Sequence, residues 1–157
     1  MRLYLVQHGE AKREEEDPSR PLSGKGLKDV RKMADCASKR LGVKVARIFH
    51  SGKLRAKQTA EELARKLEPD GGVEEVDGLG PLADPKIWAE KLKGMDEDVM
   101  LVGHLPHLSK LSSLLLFGDE TKEAIRFEMA GVVCLERDER GRWAVRWMVT
   151  PEIAPET

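Results

Sequence analysis

Three short apolar runs punctuate this chain, and each stops abruptly on polar residues or glycine. Leu3–Val6 ends at Gln7-His8-Gly9, Val45–Phe49 at His50-Ser51, and Val99–Val102 at Gly103-His104. Such runs are too short for helices and read as strands buried on both faces. Helical periodicity fills the space between them. Ser23 precedes GKGLKDVRKMADCASKRL, where Leu27, Val30, Met33, Ala34, Ala37 and Leu41 recur at helical spacing until Gly42 stops them. A second helix follows Ser51, with Leu54, Gln58, Leu63 and Leu67 in phase and Pro69 at its end. Ile87–Leu92 predicts a short helix. Leu108, Leu111, Leu115 and Leu116 predict another, with Pro106 at its first turn. Near the end, VVCLERDERGRWAVRWMV alternates around Glu139-Arg140-Gly141 and predicts an antiparallel hairpin.

Strands alternating with helices predict an α/β fold: a three-layer αβα sandwich with a mostly parallel central sheet and a C-terminal antiparallel hairpin. Residues 70–85, rich in Gly, Pro and Asp, read as loop. The polar stretch from His8 to Arg20 is a long loop for a compact domain and is expected to cover a site. With 157 residues, no repeat and no linker, the chain is expected to form a single domain over 1–150, with 151–157 as a loose tail.

Composition narrows the function classes. Aromatic residues are only 4% of the chain, so Leu, Val, Ile, Met and Ala must fill the core. No run approaches the roughly 18 apolar residues of a membrane span, so no membrane partner is expected. The first residues lack the order of a signal peptide, and Cys36 and Cys134 form no CxxC pair. Both points lead us to expect a cytoplasmic chain with reduced thiols. A pI near 6.5 and few aromatics argue against nucleic acid. Charge is nonetheless uneven. Residues 20–66 carry 14 Lys/Arg against 4 Asp/Glu, and residues 67–100 carry 3 against 10. The basic half either attracts an acidic or phosphorylated partner or solvates the outer helix faces. The oligomeric state leaves no mark on the sequence.

Ligands of open α/β sheets bind beyond the carboxyl ends of the strands. The residues placed there are His8 and Gly9, then His50, Ser51 and Arg55, then Gly103 and His104. Helix N-termini favour anions, and arginine matches phosphate oxygens bidentately. The set describes a phosphate pocket with a histidine nucleophile. Other chemistry fits poorly. Ser23–Gly26 lacks the Gly and Ser/Thr positions of a Walker A loop. His104 and His107 lie three apart with no cysteine or clear third ligand nearby, so no metal is expected. There is no GxSxG and no dinucleotide fingerprint, so no cofactor is expected either. Cys36 lies mid-helix among apolar positions and is a poor nucleophile. His50 and His107 are expected to pack or to face water.

Four stretches carry a resemblance: Gln7-His8-Gly9-Glu10-Ala11, then Arg20-Pro21-Leu22-Ser23 with Gly26, then Ser51-Gly52-Lys53-Leu54-Arg55-Ala56-Lys57-Gln58-Thr59, then Val102-Gly103-His104-Leu105-Pro106. In order and spacing they resemble the histidine phosphatase superfamily, in its short phosphohistidine phosphatase form. The resemblance implies a phosphoglycerate mutase-like fold and a phosphatase that cleaves the P–N bond of a phosphorylated protein. His8 would be the nucleophile, Arg55 the clamp on the phosphoryl oxygens and His104 a donor to one of them. Gln7, Gly9, Arg20 and Ser51 would bind substrate, although Ser51 is expected chiefly to cap its helix. The chain departs from the family pattern twice: Gln7 stands where the family has arginine, and Gly52 where it commonly has proline. Arg20 offers partial compensation for Gln7 if its loop folds inward. A phosphatase of small phosphate esters and a non-catalytic phosphate-binding module are the alternatives.

The chain has no asparagine, two glutamines and 35% charged residues, a composition that fits a heat-adapted source. A thermal melt is expected to give a Tm above about 60 °C, and a lower value overturns that reading.

Overall fold

The computed structural model describes residues 1–156. Among them six strands form one sheet: β1 (Arg2–Gln7), β2 (Arg47–His50), β3 (Val73–Glu75), β4 (Val99–Gly103), β5 (Val132–Arg137) and β6 (Trp143–Val149). The spatial order is β3-β2-β4-β1-β5-β6. β1 to β4 pair in parallel, whereas β5 runs antiparallel to both β1 and β6. Four helices cover the sheet: α1 (Gly24–Lys39), α2 (Leu54–Leu67), α3 (Pro85–Lys93) and α4 (His107–Phe117).

The period-two alternation of the strands builds the layers. Tyr4 and Val6 of β1, with Ile48, Met100 and Val102, join Val30, Met33 and Ala37 of α1 and Ala56, Ala60 and Leu63 of α2 in one core. Leu3, Leu5, Phe49 and Leu101 point to the other face and pack on Trp88 and Leu92 of α3 and Leu108 and Leu111 of α4. Phe49 and Trp88 meet there with ring centroids 5.0 Å apart. β1 is central, buried on both faces and paired on both edges, as its unbroken apolar run requires.

Two segments differ from the sequence expectation. The segment 70–85 is not all loop, since Val73–Glu75 adds β3 to the sheet edge beside β2. Its text, Val-Glu-Glu, carries no apolar signal because it is an edge strand facing solvent. Residues after 150 were expected to be loose, yet Ala154 is buried in the α1/α2 core and Lys32 Nζ donates to the Pro151 carbonyl at 2.8 Å.

The loop leaving β1 rests on the first turn of α1. Ser23 Oγ caps that helix by accepting from Gly26 N at 3.0 Å. The Ser23 amide donates to the Glu10 carbonyl at 2.9 Å. A Cβ on Gly26 would lie 2.0 Å from the Glu10 carbonyl oxygen, so only glycine allows this approach. Gly26→Ala is therefore expected to cost about 1–3 kcal/mol, the usual range for overpacking. Gly24→Ala, with nothing within 4 Å of the added methyl, should stabilise the helix by up to about 1 kcal/mol. Denaturant titration of the two variants reads both numbers. Equal stability for both would refute the contact.

Candidate active site

The register of the sheet aligns the strand ends. Gln7 lies opposite Gly103 and His50 opposite Val102, so the residues leaving β1, β2 and β4 emerge along one edge. The His8 amide donates to the Gly103 carbonyl at 3.0 Å. That bond holds the loops after β1 and β4 together, and the rings of His8 and His104 lie with centroids 5.0 Å apart.

His8 is 8% exposed, and its Nδ1 is 2.7 Å from the Gly9 carbonyl oxygen. A carbonyl can only accept, so Nδ1 carries the ring proton and Nε2 keeps its lone pair. Burial holds the imidazole pKa below its ordinary value. The Gly9 bond opposes this, and the positive charges of Arg55 and Arg20 reinforce it. Gly9 is itself fixed: its amide donates to Thr59 Oγ1 at 3.0 Å, and the Thr59 hydroxyl donates to the Arg55 carbonyl at 2.8 Å. A Cβ on Gly9 would come within 2.7 Å of Val30 Cγ2. No side chain other than hydrogen fits between the nucleophile candidate and α1.

His104 is 1% exposed. Its Nε2 shares a 2.7 Å hydrogen bond with Ser51 Oγ, and its Nδ1 is buried without a partner. Burial, then the charges of His8, Arg55 and Lys53, pushes its pKa down to about 3. The expectation that Ser51 mainly caps α2 is corrected here. The N-cap position is Lys53, which makes no side-chain cap bond, and Ser51 instead couples β2 to His104 while accepting weakly from the Lys53 amide at 3.3 Å. The first turn of α2 consequently has no side-chain cap, and an uncapped helix N-terminus favours an anion.

Arg55 opens α2 with its Nε buried and unpartnered, its pKa lowered first by burial and then by Arg20. Arg20 sits in a backbone turn with φ +48, and its Nε donates to the Lys12 carbonyl at 3.0 Å. Its charge acts on both His8 and Arg55, which places the Arg20 loop on the site side of the molecule. Among the described residues no carboxylate pairs with Arg20 or Arg55. Two guanidinium groups act on a neutral imidazole here with no carboxylate paired to either among the described residues, which leaves local positive charge of the kind that suits an anion.

Gln7 is half-buried with Oε1 unpartnered, and its side chain lines an adjoining groove with Leu105 and Met129. Gly52 has φ +93, which the proline ring forbids, so proline would not fit this position with the backbone as it stands. His50 takes a structural part, its Nδ1 accepting from the Gly52 amide at 3.0 Å. His107 is fully buried with neither ring nitrogen partnered. Among the described residues no group of three or more His, Cys, Asp or Glu is arranged to hold a metal ion. No helix there is long and apolar enough to cross a membrane. Sequence reading quoted Thr59 and Gln58 within a motif but gave them no task. Thr59 anchors the Gly9 amide, and Gln58 Oε1 accepts from the Leu22 amide at 2.7 Å, tying the return of the Arg20 loop to α2.

The family model for the histidine phosphatase superfamily (branch 1) matches residues 3–80. The phosphohistidine phosphatase SixA of Escherichia coli (strain K12) is 27% identical over 156 residues, covering 96% of this chain and 94% of that protein. A protein of Picosynechococcus sp. is 35% identical over 143 residues, covering 86% and 84%. The structure of the protein histidine phosphatase SixA complexed with tungstate matches with a TM-score of 0.84 at 27% identity, covering 96% of this chain and 97% of that one. The alpha-ribazole phosphatase from Shigella flexneri shares the fold, with a TM-score of 0.80 at 14% identity and full coverage of both chains at 100%.

The buried imidazoles make acid stability a readout of the site. An unfolded imidazole takes up a proton near pH 6.5, whereas folded His104 stays neutral to about 3 and His107 to about 4. The unfolded state binds more protons throughout that window, so stability is complete above pH 6.5 and is lost as pH falls towards 3. Ring resonances of His104 and His107 followed by NMR are expected not to titrate between pH 8 and 5. A midpoint near 6.5 for either one would refute its burial as a neutral ring.

Proposed function

The chain belongs to the histidine phosphatase superfamily, and we propose that it hydrolyses phosphohistidine on a partner protein through a phosphoryl intermediate on His8. The observation that carries this reading is the His8 imidazole, locked by Gly9 with Nε2 unprotonated, beside two guanidinium groups that no carboxylate balances. Its likeness to SixA, a phosphohistidine phosphatase by name, over nearly the full length of both chains supports the substrate class.

In the first step His8 Nε2 attacks phosphorus, a new N–P bond forms, and the P–N bond to the substrate imidazole breaks. The departing nitrogen takes up a proton and leaves as neutral histidine. In the second step water attacks the phosphorus on His8, the N–P bond breaks, and inorganic phosphate departs. Arg55, with Arg20 beside it, offsets the charge of the equatorial oxygens in both steps, which is where most catalysis of phosphoryl transfer arises. His104, neutral at working pH, would donate from Nε2 to one of those oxygens, the phosphoryl group replacing Ser51 Oγ as the partner of that nitrogen. Phosphohistidine suits a site without a dedicated acid, because its leaving nitrogen is readily protonated.

One observation favours a second reading. Gln7 supplies a neutral contact where the family has an arginine, and losing a charge-assisted pair costs a few kcal/mol of anion binding, about 1.5–3 for such a bond. A phosphate-binding module without turnover would follow if Arg20 does not compensate.

Hydrolysis of a phosphohistidine phosphocarrier protein near neutral pH, with intact-mass detection of phosphoenzyme, separates the two. Turnover is expected in the natural chain and absent, with the phosphoenzyme, in His8→Ala. Arg55→Ala should lose at least about 100-fold and His104→Ala roughly 10²–10³, as for other lost transition-state donors. No turnover in the natural chain together with turnover in Gln7→Arg would establish the binding module instead.

A further inference from the structure

A groove of about 500 Å³ opens beside the reacting pair. Its walls include Gln7 and Leu105, the chain neighbours of His8 and His104, and Met129, which bridges to Gln7. Four carboxylates line it, from Glu10, Asp29, Glu128 and Glu152, against a single ammonium, Lys25. Lys25 Nζ is already paired with Asp29 Oδ2 at 2.9 Å. Glu10 accepts from the Ser23 hydroxyl at 2.9 Å, and among the described residues Glu10, Glu128 and Glu152 make no ion pair. Leu105 and Met129 are 39% and 43% exposed there, giving the acidic trough an apolar side.

The molecule thus presents two opposite charges side by side. Arg55 and Arg20 make the place beside His8 cationic, and the groove one residue away is anionic. A small phosphate ester without a cationic group gains nothing from the second half and is repelled by it. A polypeptide that carries its phosphoryl group next to a basic side chain matches both halves. Gln7, on the wall between the two, keeps this division sharp because its side chain is uncharged.

We propose that this groove docks the polypeptide flanking the phosphorylated residue and selects a segment with lysine or arginine near that residue. The proposal rests on a phosphorylated protein being the substrate, and it assigns the surface that reads the protein part. Glu128 and Glu152 contact the basic side chain, while Leu105 and Met129 cover its aliphatic stem or an apolar neighbour.

Short synthetic phosphohistidine peptides with arginine, alanine or glutamate flanks test it, beside free phosphohistidine. The same peptides without phosphate are titrated for binding at low salt. The natural chain is expected to prefer arginine over glutamate flanks by roughly tenfold in KM and in Kd, a modest factor of the size that exposed ion pairs supply together. The preference should fall as salt is raised. Glu128→Lys/Glu152→Lys should erase or invert it while leaving turnover of free phosphohistidine unchanged. Glu128→Gln/Glu152→Gln, a gentler change on an exposed surface, should reduce it. Equal KM and Kd for arginine and glutamate flanks, or a preference untouched in both double variants, overturns the groove assignment. Absence of turnover with retained, groove-dependent binding of arginine-flanked peptide would overturn the hydrolase reading and uphold the groove.

Discussion

The hydrogen bond from the His8 amide to the Gly103 carbonyl, 3.0 Å long, is the constraint on which the site depends. It extends the β1–β4 ladder one residue beyond the strands and fixes where each chain leaves the sheet. A one-residue slip in that pairing would turn every β1 side chain to the opposite face. Such a slip would expose Tyr4 and Val6 to the α3/α4 core and part the two imidazoles. The unbroken burial of Leu3 to Val6 on both faces keeps the register, so the hydrophobic core and the position of the candidate nucleophile have one cause.

Electrostatics at the site follow from burial and imbalance together. The imidazoles of His8 and His104 are held neutral chiefly by desolvation, and nearby cations add to the effect. A neutral ring suits attack on phosphorus, because a protonated one has no lone pair to give. Among the described residues the guanidinium groups of Arg55 and Arg20 pair with no carboxylate, and such uncompensated positive charge favours an anion. The surface next door carries the opposite sign, so the field changes direction within a few residues of His8.

Much of this was legible in the sequence. The order of strands and helices followed from short apolar runs alternating with helical periodicity, and His8, Arg55 and His104 stood out because each follows such a run. What escaped has physical reasons. β3 is three residues long and faces solvent, so no periodicity marks it. The Thr59–Gly9 and Ser51–His104 bonds join residues 50 and 53 positions apart, and local pattern carries no information about partners that distant. The need for glycine at position 26 appears only once the Glu10 carbonyl is seen above it. The packed Ala154 was hidden because a single small apolar residue in a polar tail resembles chance.

The central place of β1 has a consequence for how the molecule comes into being. Its partners are β4 and β5, and contacts such as Arg2 with Asp98 and with Glu136 close loops of 96 and 134 residues. Such long-range pairing gives a high contact order and slows folding relative to helical proteins. On the ribosome the nucleophile candidate is made before either strand that flanks β1, since β4 begins at Val99 and β5 at Val132. The candidate nucleophile therefore has no completed sheet around it until β4 and β5 have both been made.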